Sequence, residues 1–263
     1  MTIKVLVTGA NGQLAKTLQD LYQTNADEIA FTFLSKKELD ISNSDDVTRV
    51  FNLDRFNYCI NCAAFTNVEQ AEKSPEHAFL VNAIGAKNIA LACNRSNTTL
   101  IHISTDYVFD GEKQTPYTVF DIPNPINEYG KSKRIGEQYI QELAQAYFII
   151  RTSWLYSKEF GNNFYKTILK KGKAGEDITV TNDQKGCPTN TVNLASYIYD
   201  LIKNNETSYG IKHYCDGHEM TWFEFAKSIL ENNHLIDKIN LVKGGNYRTF
   251  AKRPKNSVLC ISK

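Results

Sequence analysis

The 263 residues, 42% of them apolar, suffice for one sizeable hydrophobic core, or for a core with a smaller lobe beside it. They exclude a disordered chain. Thirty basic residues against 29 acidic ones leave a net charge of +1, with neither half conspicuously basic, which argues against counterion-driven binding to nucleic acid or to an anionic membrane. Small molecules are the expected partners. No apolar run approaches the roughly 18 residues that span a bilayer, and Ile3-Lys4-Val5-Leu6-Val7 stops at Thr8-Gly9 without a cleavage site. The expectation is a soluble, cytoplasmic protein.

The predicted elements alternate from the first residues on. Strand-like stretches fall at 3–8, 29–34 and 58–62, with amphipathic helices from about 12–22 and 44–51 between them. A long helix over about 75–94, which Pro75 can open because its missing N–H would have no partner there, leads to a strand at 100–104. A helix over about 127–145 and a strand at 147–151 complete the series. Sequential β-α-β units demand parallel pairing with right-handed crossovers, so the fold class is α/β, a Rossmann-type doubly wound parallel sheet. After Arg151 the rhythm weakens into loop-rich pieces between helices near 164–171, 192–203 and 221–232. The chain thus divides into a dinucleotide-binding domain, 1–152, and a smaller C-terminal substrate-binding lobe, 153–263. No Pro-, Gly- or Ser-rich linker separates them, and segments can interleave.

The six cysteines are scattered through a chain too long to need disulfide staples, so free thiols are expected. Cys59 and Cys62 form a C-x-x-C, but on a strand a spacing of three sends the side chains to opposite faces. The five histidines show no ligand spacing, and no metal is expected.

Val5-Leu-Val-Thr-Gly9-Ala-Asn-Gly12-Gln-Leu-Ala15 stands at the first strand-to-helix turn. Gly9 permits the tight bend there, and Gly12 lets a pyrophosphate approach backbone N–H groups at a helix start. Its position after the first strand of the series makes this turn a dinucleotide site. The second strand ends in Ser35-Lys36-Lys37, without the carboxylate that would accept from a ribose 2′-hydroxyl, so NADPH is preferred and NADH remains possible. Glu38 and Asp40 stand close enough to blur that rule, and solvated lysines are the competing reading.

Tyr129-Gly-Lys-Ser-Lys133 sets a phenol and an ammonium four residues apart on one helix face. The same spacing occurs at Tyr147/Arg151 and Tyr199/Lys203, so spacing does not single it out. Context does, because only Tyr129 opens a helix that follows a strand ending in a hydroxyl pair, Ser104-Thr105. Bringing a phenol from about 10 to about 7 takes roughly 4 kcal/mol. An ammonium about 4 Å away supplies about 4 kcal/mol at an effective dielectric of about 20. Lys133 is therefore expected to make Tyr129 a general acid at neutral pH.

Together, the Gly9/Gly12 turn, Ser104-Thr105-Asp106-Tyr-Val-Phe-Asp-Gly111, Tyr129-x-x-x-Lys133 and Arg151-Thr-Ser-Trp154-Leu-Tyr resemble the extended short-chain dehydrogenase/reductases. Gly161-Asn-Asn-Phe164, Asn182-Asp-Gln-Lys-Gly186-Cys-Pro-Thr189 and Arg253-Pro-Lys-Asn-Ser257 agree, so the likeness runs along almost the whole chain. The resemblance implies Tyr129 as proton donor, Lys133 as its electrostatic partner and Thr105 orienting the substrate oxygen. It implies cofactor contacts from Gly9, Asn11, Gly12, Gln13 and Leu14, from Asp40 and Ile41 beside the adenine, and from Ala63, Ala64 and Phe65, with Tyr129 and Lys133 at the nicotinamide end. Thr105, Asp106 and Trp154 would meet the sugar, although Trp154 and Phe65 also read as packing aromatics.

The implied reaction is reduction of the C4 ketone of a nucleotide-linked deoxyhexose for polysaccharide synthesis. A different 4-keto-6-deoxy sugar and a non-catalytic NADP-binding regulatory subunit are the alternatives. Sugar dehydratases of similar fold carry a second carboxyl after the aspartate, and here that position is Tyr107. Relatives usually continue through further helical structure past Ser257, where this sequence ends at Lys263. Weakened activity is the expectation, with a monomer or a homodimer as the assembly.

Overall fold

The computed structural model describes residues 2–23, 28–245 and 249–261; Ser262 and Lys263, the end of the terminus considered above, lie outside them. The first half lays down β1 (Ile3–Thr8), α1 (Gln13–Tyr22), β2 (Ile29–Leu34), α2 (Ser44–Leu53), β3 (Tyr58–Asn61) and α3 (Val68–Lys73). Next come α4 (Pro75–Phe79), a π-helical stretch over Leu80–Gly85, α5 (Ala86–Ser96), β4 (Thr99–Thr105), α6 (Glu128–Leu143) and β5 (Tyr147–Thr152). The single long helix expected from Pro75 is thus interrupted by one π-helical segment. There the Asn82 side chain accepts from Phe65 N at 2.8 Å and donates to Phe65 O at 2.9 Å and to Ser132 Oγ at 3.0 Å. Such a widened register commonly marks functional surroundings, and here it ties the loop after β3 to α6.

The second half adds β6 (Leu155–Tyr156), α7 (Phe164–Ala174), β7 (Ile178–Thr181), β8 (Lys185–Gly186), β9 (Thr189–Asn190), α8 (Thr191–Lys203), β10 (Gly210–His213), β11 (Met220–Thr221), α9 (Trp222–Asn232) and β12 (Leu241–Gly244). The main sheet runs β10-β5-β4-β3-β1-β2, every pair parallel. This is a doubly wound sheet whose order reverses between β1 and β3, the place where such sheets take ligands. β10 escapes pattern reading because its four residues, Gly-Ile-Lys-His, carry no alternation.

One face of the sheet packs Leu6, Cys59, Leu100 and Ile149 under α2, α5 and α6. The other packs Val5, Val7, Ile60, Ile101 and Ile150 under α1 and α8. Cys59 belongs to the first layer and Cys62 packs against the second, as strand spacing requires. Leu14, Ala15 and Leu18 of α1 meet Leu194, Ala195 and Ile198 of α8, all buried, and each large side chain among them is worth about 1.5–3 kcal/mol of burial. Elements beyond residue 152 therefore complete the first unit, while α7, α9, β7 and β12 enclose a separate small core around Ile168, Ile178, Phe225 and Leu230. Among the described residues no helix is long and apolar enough to cross a membrane.

Candidate active site

α6 is positioned from both ends. Asn127 caps it by accepting from Gly130 N at 2.7 Å, which fixes the turn that carries Tyr129. Lower down, the fully buried Glu137 accepts from Arg151 Nε at 2.8 Å and Nη2 at 2.7 Å on β5, and from Ser104 Oγ at 2.7 Å on β4. The helix is thereby bolted to two strands whose C-terminal ends deliver Thr105 and Thr152. Between these ends and the small lobe opens a cavity of 540 Å³. A second cavity of 320 Å³ adjoins it, and the two share Asn11, Gly12, Cys62 and Ala64 in their walls.

Every residue that the resemblance assigned to cofactor, sugar or catalysis lines one cavity or the other. Gln13, Leu14, Thr105, Asp106, Tyr129, Lys133 and Trp154 face the larger, and Gly9, Asp40, Ile41, Ala63 and Phe65 the smaller. Gly9 takes φ +67°, and a Cβ there would stand 2.8 Å from Ala63 N, so only glycine brings the two loops together. Gly12 opens α1 with no side-chain cap and no acidic residue in the first turn. The free N–H groups of that turn and the positive end of the helix dipole suit a pyrophosphate, so the cradle fits a dinucleotide. Gln13 spends its amide on a bridge between the lobes, donating to Leu155 O at 3.0 Å and accepting from Asn163 Nδ2 at 3.1 Å. At the smaller cavity Lys36 lies in the wall, 3.8 Å from Asp40 Oδ2, while Glu38 turns its carboxylate back onto Ser35 N and Oγ at 2.8 and 2.7 Å. The carboxylates that blurred the cofactor rule are thus occupied locally.

The expectation for Tyr129 needs correction. Burial pushes its phenol well above the ordinary value, with Thr105 pulling the other way and the charges of Asp106 and Tyr107 adding to the rise. Lys133 does not draw it down. Burial presses Lys133 to about 8 against the pull of Glu137 and Cys62, so the ammonium gives up its charge before the phenol ionises. Beside them Thr105 Oγ1 donates to Asp106 Oδ1 at 3.1 Å and accepts from Tyr107 N at 3.1 Å, and Ser153 Oγ donates to Asp106 Oδ2 at 2.8 Å. Burial raises the Asp106 carboxyl to about 6, opposed by the hydroxyls of Ser257, Ser153 and Thr105.

The family model described as RmlD substrate binding domain matches residues 3–263. The chain belongs to that family. Among its relatives, a dTDP-4-dehydrorhamnose reductase of Aggregatibacter actinomycetemcomitans is 38% identical over 99% of this chain and 91% of the relative. The spore coat polysaccharide biosynthesis protein SpsK of Bacillus subtilis (strain 168) is 40% identical over 97% and 88%. A solved structure of dTDP-4-dehydrorhamnose reductase from Bacillus anthracis strain Ames, in complex with NADP, aligns with a TM-score of 0.94 at 42% identity, covering 100% of this chain and 92% of that one.

In this RmlD-family chain, several wall residues had no role assigned from sequence. Arg253 reaches the larger cavity with its Nε buried and without a partner among the described residues, while Nη2 donates to Glu69 Oε1 at 2.9 Å. The Arg-Pro segment was visible as a motif, but its meeting with Glu69 across 184 positions was not. Trp222 stacks on Trp154 with ring centroids 3.5 Å apart and planes within 5°. Trp154 adopts φ +47° to do so, a left-handed conformation that a bulky residue keeps only when its surroundings impose it. Gly186 is the floor of this stack, because a Cβ there would lie 2.4 Å from Trp154 Cε2. Gly186→Ala is expected to displace the indole at a stability cost of about 1–3 kcal/mol. It should lower kcat/KM for the sugar about tenfold or more while leaving the NADPH Kd within about twofold. Steady-state kinetics with a parallel cofactor titration check this, and an unchanged kcat/KM would mean that the Trp154 position is immaterial.

Proposed function

We propose that this chain reduces the C4 ketone of dTDP-4-dehydro-β-L-rhamnose to dTDP-L-rhamnose at the expense of NADPH, in nucleotide-sugar synthesis for cell-surface polysaccharide. The observation that carries the reading is the convergence of Tyr129, Thr105 and Lys133 on one 540 Å³ cavity that shares walls with the uncapped glycine turn. The four buried free cysteines suit a reducing compartment, the cytoplasm.

Bound NADPH supplies the hydride that this chemistry needs. Gly9, Asn11 and Gly12 offer the turn for its pyrophosphate. Asp40, Ile41 and Phe65 flank the adenosine end, and Lys36 favours a 2′-phosphate there. Because burial holds the Tyr129 phenol protonated at neutral pH, it waits in its donating form, and its proton passes to the alkoxide oxygen of the sugar as that oxygen gains charge. Thr105 orients the same oxygen by turning its one hydroxyl proton from Asp106 Oδ1 to the sugar. Asp106, held by Thr105 and Ser153, and Trp154 receive the sugar hydroxyls and ring face. Arg253 offers its unpaired Nε to the diphosphate.

The decisive assay follows NADPH absorbance on addition of enzymatically made dTDP-4-dehydro-L-rhamnose, with dTDP-4-keto-6-deoxy sugars of other configuration and NADH in parallel. Oxidation with the rhamnose precursor is the expected result, with NADPH at least matching NADH. Thermal protection by NADPH without any oxidation would replace this reading with a cofactor-binding partner protein. Oxidation only with another sugar would move the substrate.

A further inference from the structure

Behind Lys133 runs a row of buried polar side chains that the proposed reaction does not use. Thr8, Asn61 and His102 are 0, 1 and 1% exposed, and they stand on β1, β3 and β4 beneath the cleft. Ala63 N donates to Thr8 Oγ1 at 3.3 Å, and Thr8 Oγ1 donates to Asn61 Oδ1 at 2.7 Å. Asn61 Nδ2 faces His102 Nδ1 at 3.0 Å, and His102 Nε2 faces Lys133 Nζ at 3.1 Å. Lys133 Nζ also donates to Ile103 O at 2.7 Å.

Donor accounting gives this row a direction. A hydroxyl has one proton and two lone pairs; the backbone N–H of Ala63 takes a lone pair of Thr8 Oγ1, and the proton of Thr8 is directed at Asn61 Oδ1. The Asn61 amide is thereby oriented with Nδ2 toward the ring. An amide nitrogen only donates, so His102 Nδ1 accepts and the ring proton sits on Nε2, pointing at Lys133. An ammonium has no lone pair with which to receive it. The amine form of Lys133 does, and in that form every group in the row is satisfied. Reversing the row to suit an ammonium would require turning the Asn61 amide over and stranding the Thr8 proton.

We propose that Thr8, Asn61 and His102 form a tautomer lock, which makes His102 a positioning residue that donates to Lys133 and lets Lys133 cycle between ammonium and amine in turnover rather than serve as a fixed charge. This rests on the reductase reading above. After the sugar oxygen takes the proton of Tyr129, an N–H bond of the Lys133 ammonium breaks and the O–H bond of the phenol one helical turn away re-forms, and water entering the cavity that Lys133 lines then returns a proton to the amine. Charge balances, since an ammonium and a phenolate become an amine and a phenol, and the new lone pair is received by His102 Nε2–H. The titratable groups facing Lys133 agree with this. His102 on β4 is held neutral by burial and by Lys133 itself. Burial also keeps the Cys62 thiol, just past β3, protonated. Glu137 on the same helix is the one carboxylate in the set, and it is neutralised by Arg151.

The test reads the tautomer directly, by nitrogen NMR of protein labelled at histidine, with His102 assigned by the signals lost in His102→Gln. The Nε2–H tautomer is expected from neutral pH to about two units above it. An Nδ1–H or doubly protonated ring would overturn the lock without any need for turnover, so failure of the reductase reading remains distinguishable. In Asn61→Asp, the carboxylate accepts from Nδ1–H and turns Nε2 into an acceptor for the ammonium. The alkaline limb of kcat/KM should then rise by about one pH unit or more, tenfold in the proton affinity of Lys133. A flipped tautomer with an unmoved limb would show that Lys133 does not cycle.

Discussion

Tyr129→Phe is expected to bind NADPH with unchanged affinity and to lose roughly 10²–10⁴-fold in kcat with the sugar ketone. The substitution removes one oxygen from a ring that packs edge-on against Tyr107, with centroids 5.9 Å apart, so the packing that positions the turn survives. What disappears is the proposed proton donor. A neighbouring ammonium was expected to bring this phenol toward neutrality, whereas burial keeps it far above that range. The phenol is therefore protonated at physiological pH, and in the proposed role it depends on the charge developing on the sugar oxygen to draw its proton off. Single-turnover kinetics separate the two steps. A kcat within about tenfold of the parent would remove Tyr129 from the role.

The second large effect is on stability. Glu137→Leu should cost about 3–5 kcal/mol, because it leaves the guanidinium of Arg151 in the sheet interior with no counter-charge. Burial alone would raise the Glu137 carboxyl, but Arg151, Ser104 and Arg134 more than offset it and hold it below the ordinary carboxylate range. The stabilisation is accordingly present above that range and is lost as pH falls through the lowered value. Arg151 Nη1 has no partner among the described residues even with the pair intact, so the arginine is a burden once Glu137 is gone. Glu137→Leu combined with Arg151→Met should recover most of the loss. Urea unfolding of the two single variants and the double variant completes the cycle, and a double variant as unstable as the worse single one would contradict this account.

Legibility in the sequence follows distance along the chain. The glycine turn, the hydroxyl pair and Tyr129/Lys133 are local patterns of strand end or helix turn, and they could be read because each lies within five consecutive residues. The alternation of β1 to β5 with helices made five of the six sheet strands legible for the same reason. Glu137 with Arg151, Asn82 with Phe65, Arg253 with Glu69 and the row behind Lys133 are meetings between elements, and no local period announces them. The return of α8 and β10 to the first unit was invisible for a related reason. The apolar face of α8 could be seen, but not which layer it would cover. The Tyr129 phenol was misjudged because residue type reveals an acid without revealing how deeply it is buried.

Trp154 and Trp222 are the two tryptophans of the chain, and they lie face to face in the wall of the larger cavity. Light absorbed at the red edge of the protein spectrum, where indole dominates, is therefore absorbed in the cleft and nowhere else in the molecule. Coupling between two parallel rings at 3.5 Å makes their emission and near-ultraviolet dichroism sensitive to any tilt or parting. The protein consequently carries its own optical gauge: arrival of a sugar or displacement of the stack registers without a label, and melting of the distant sheet registers only when the cleft goes with it.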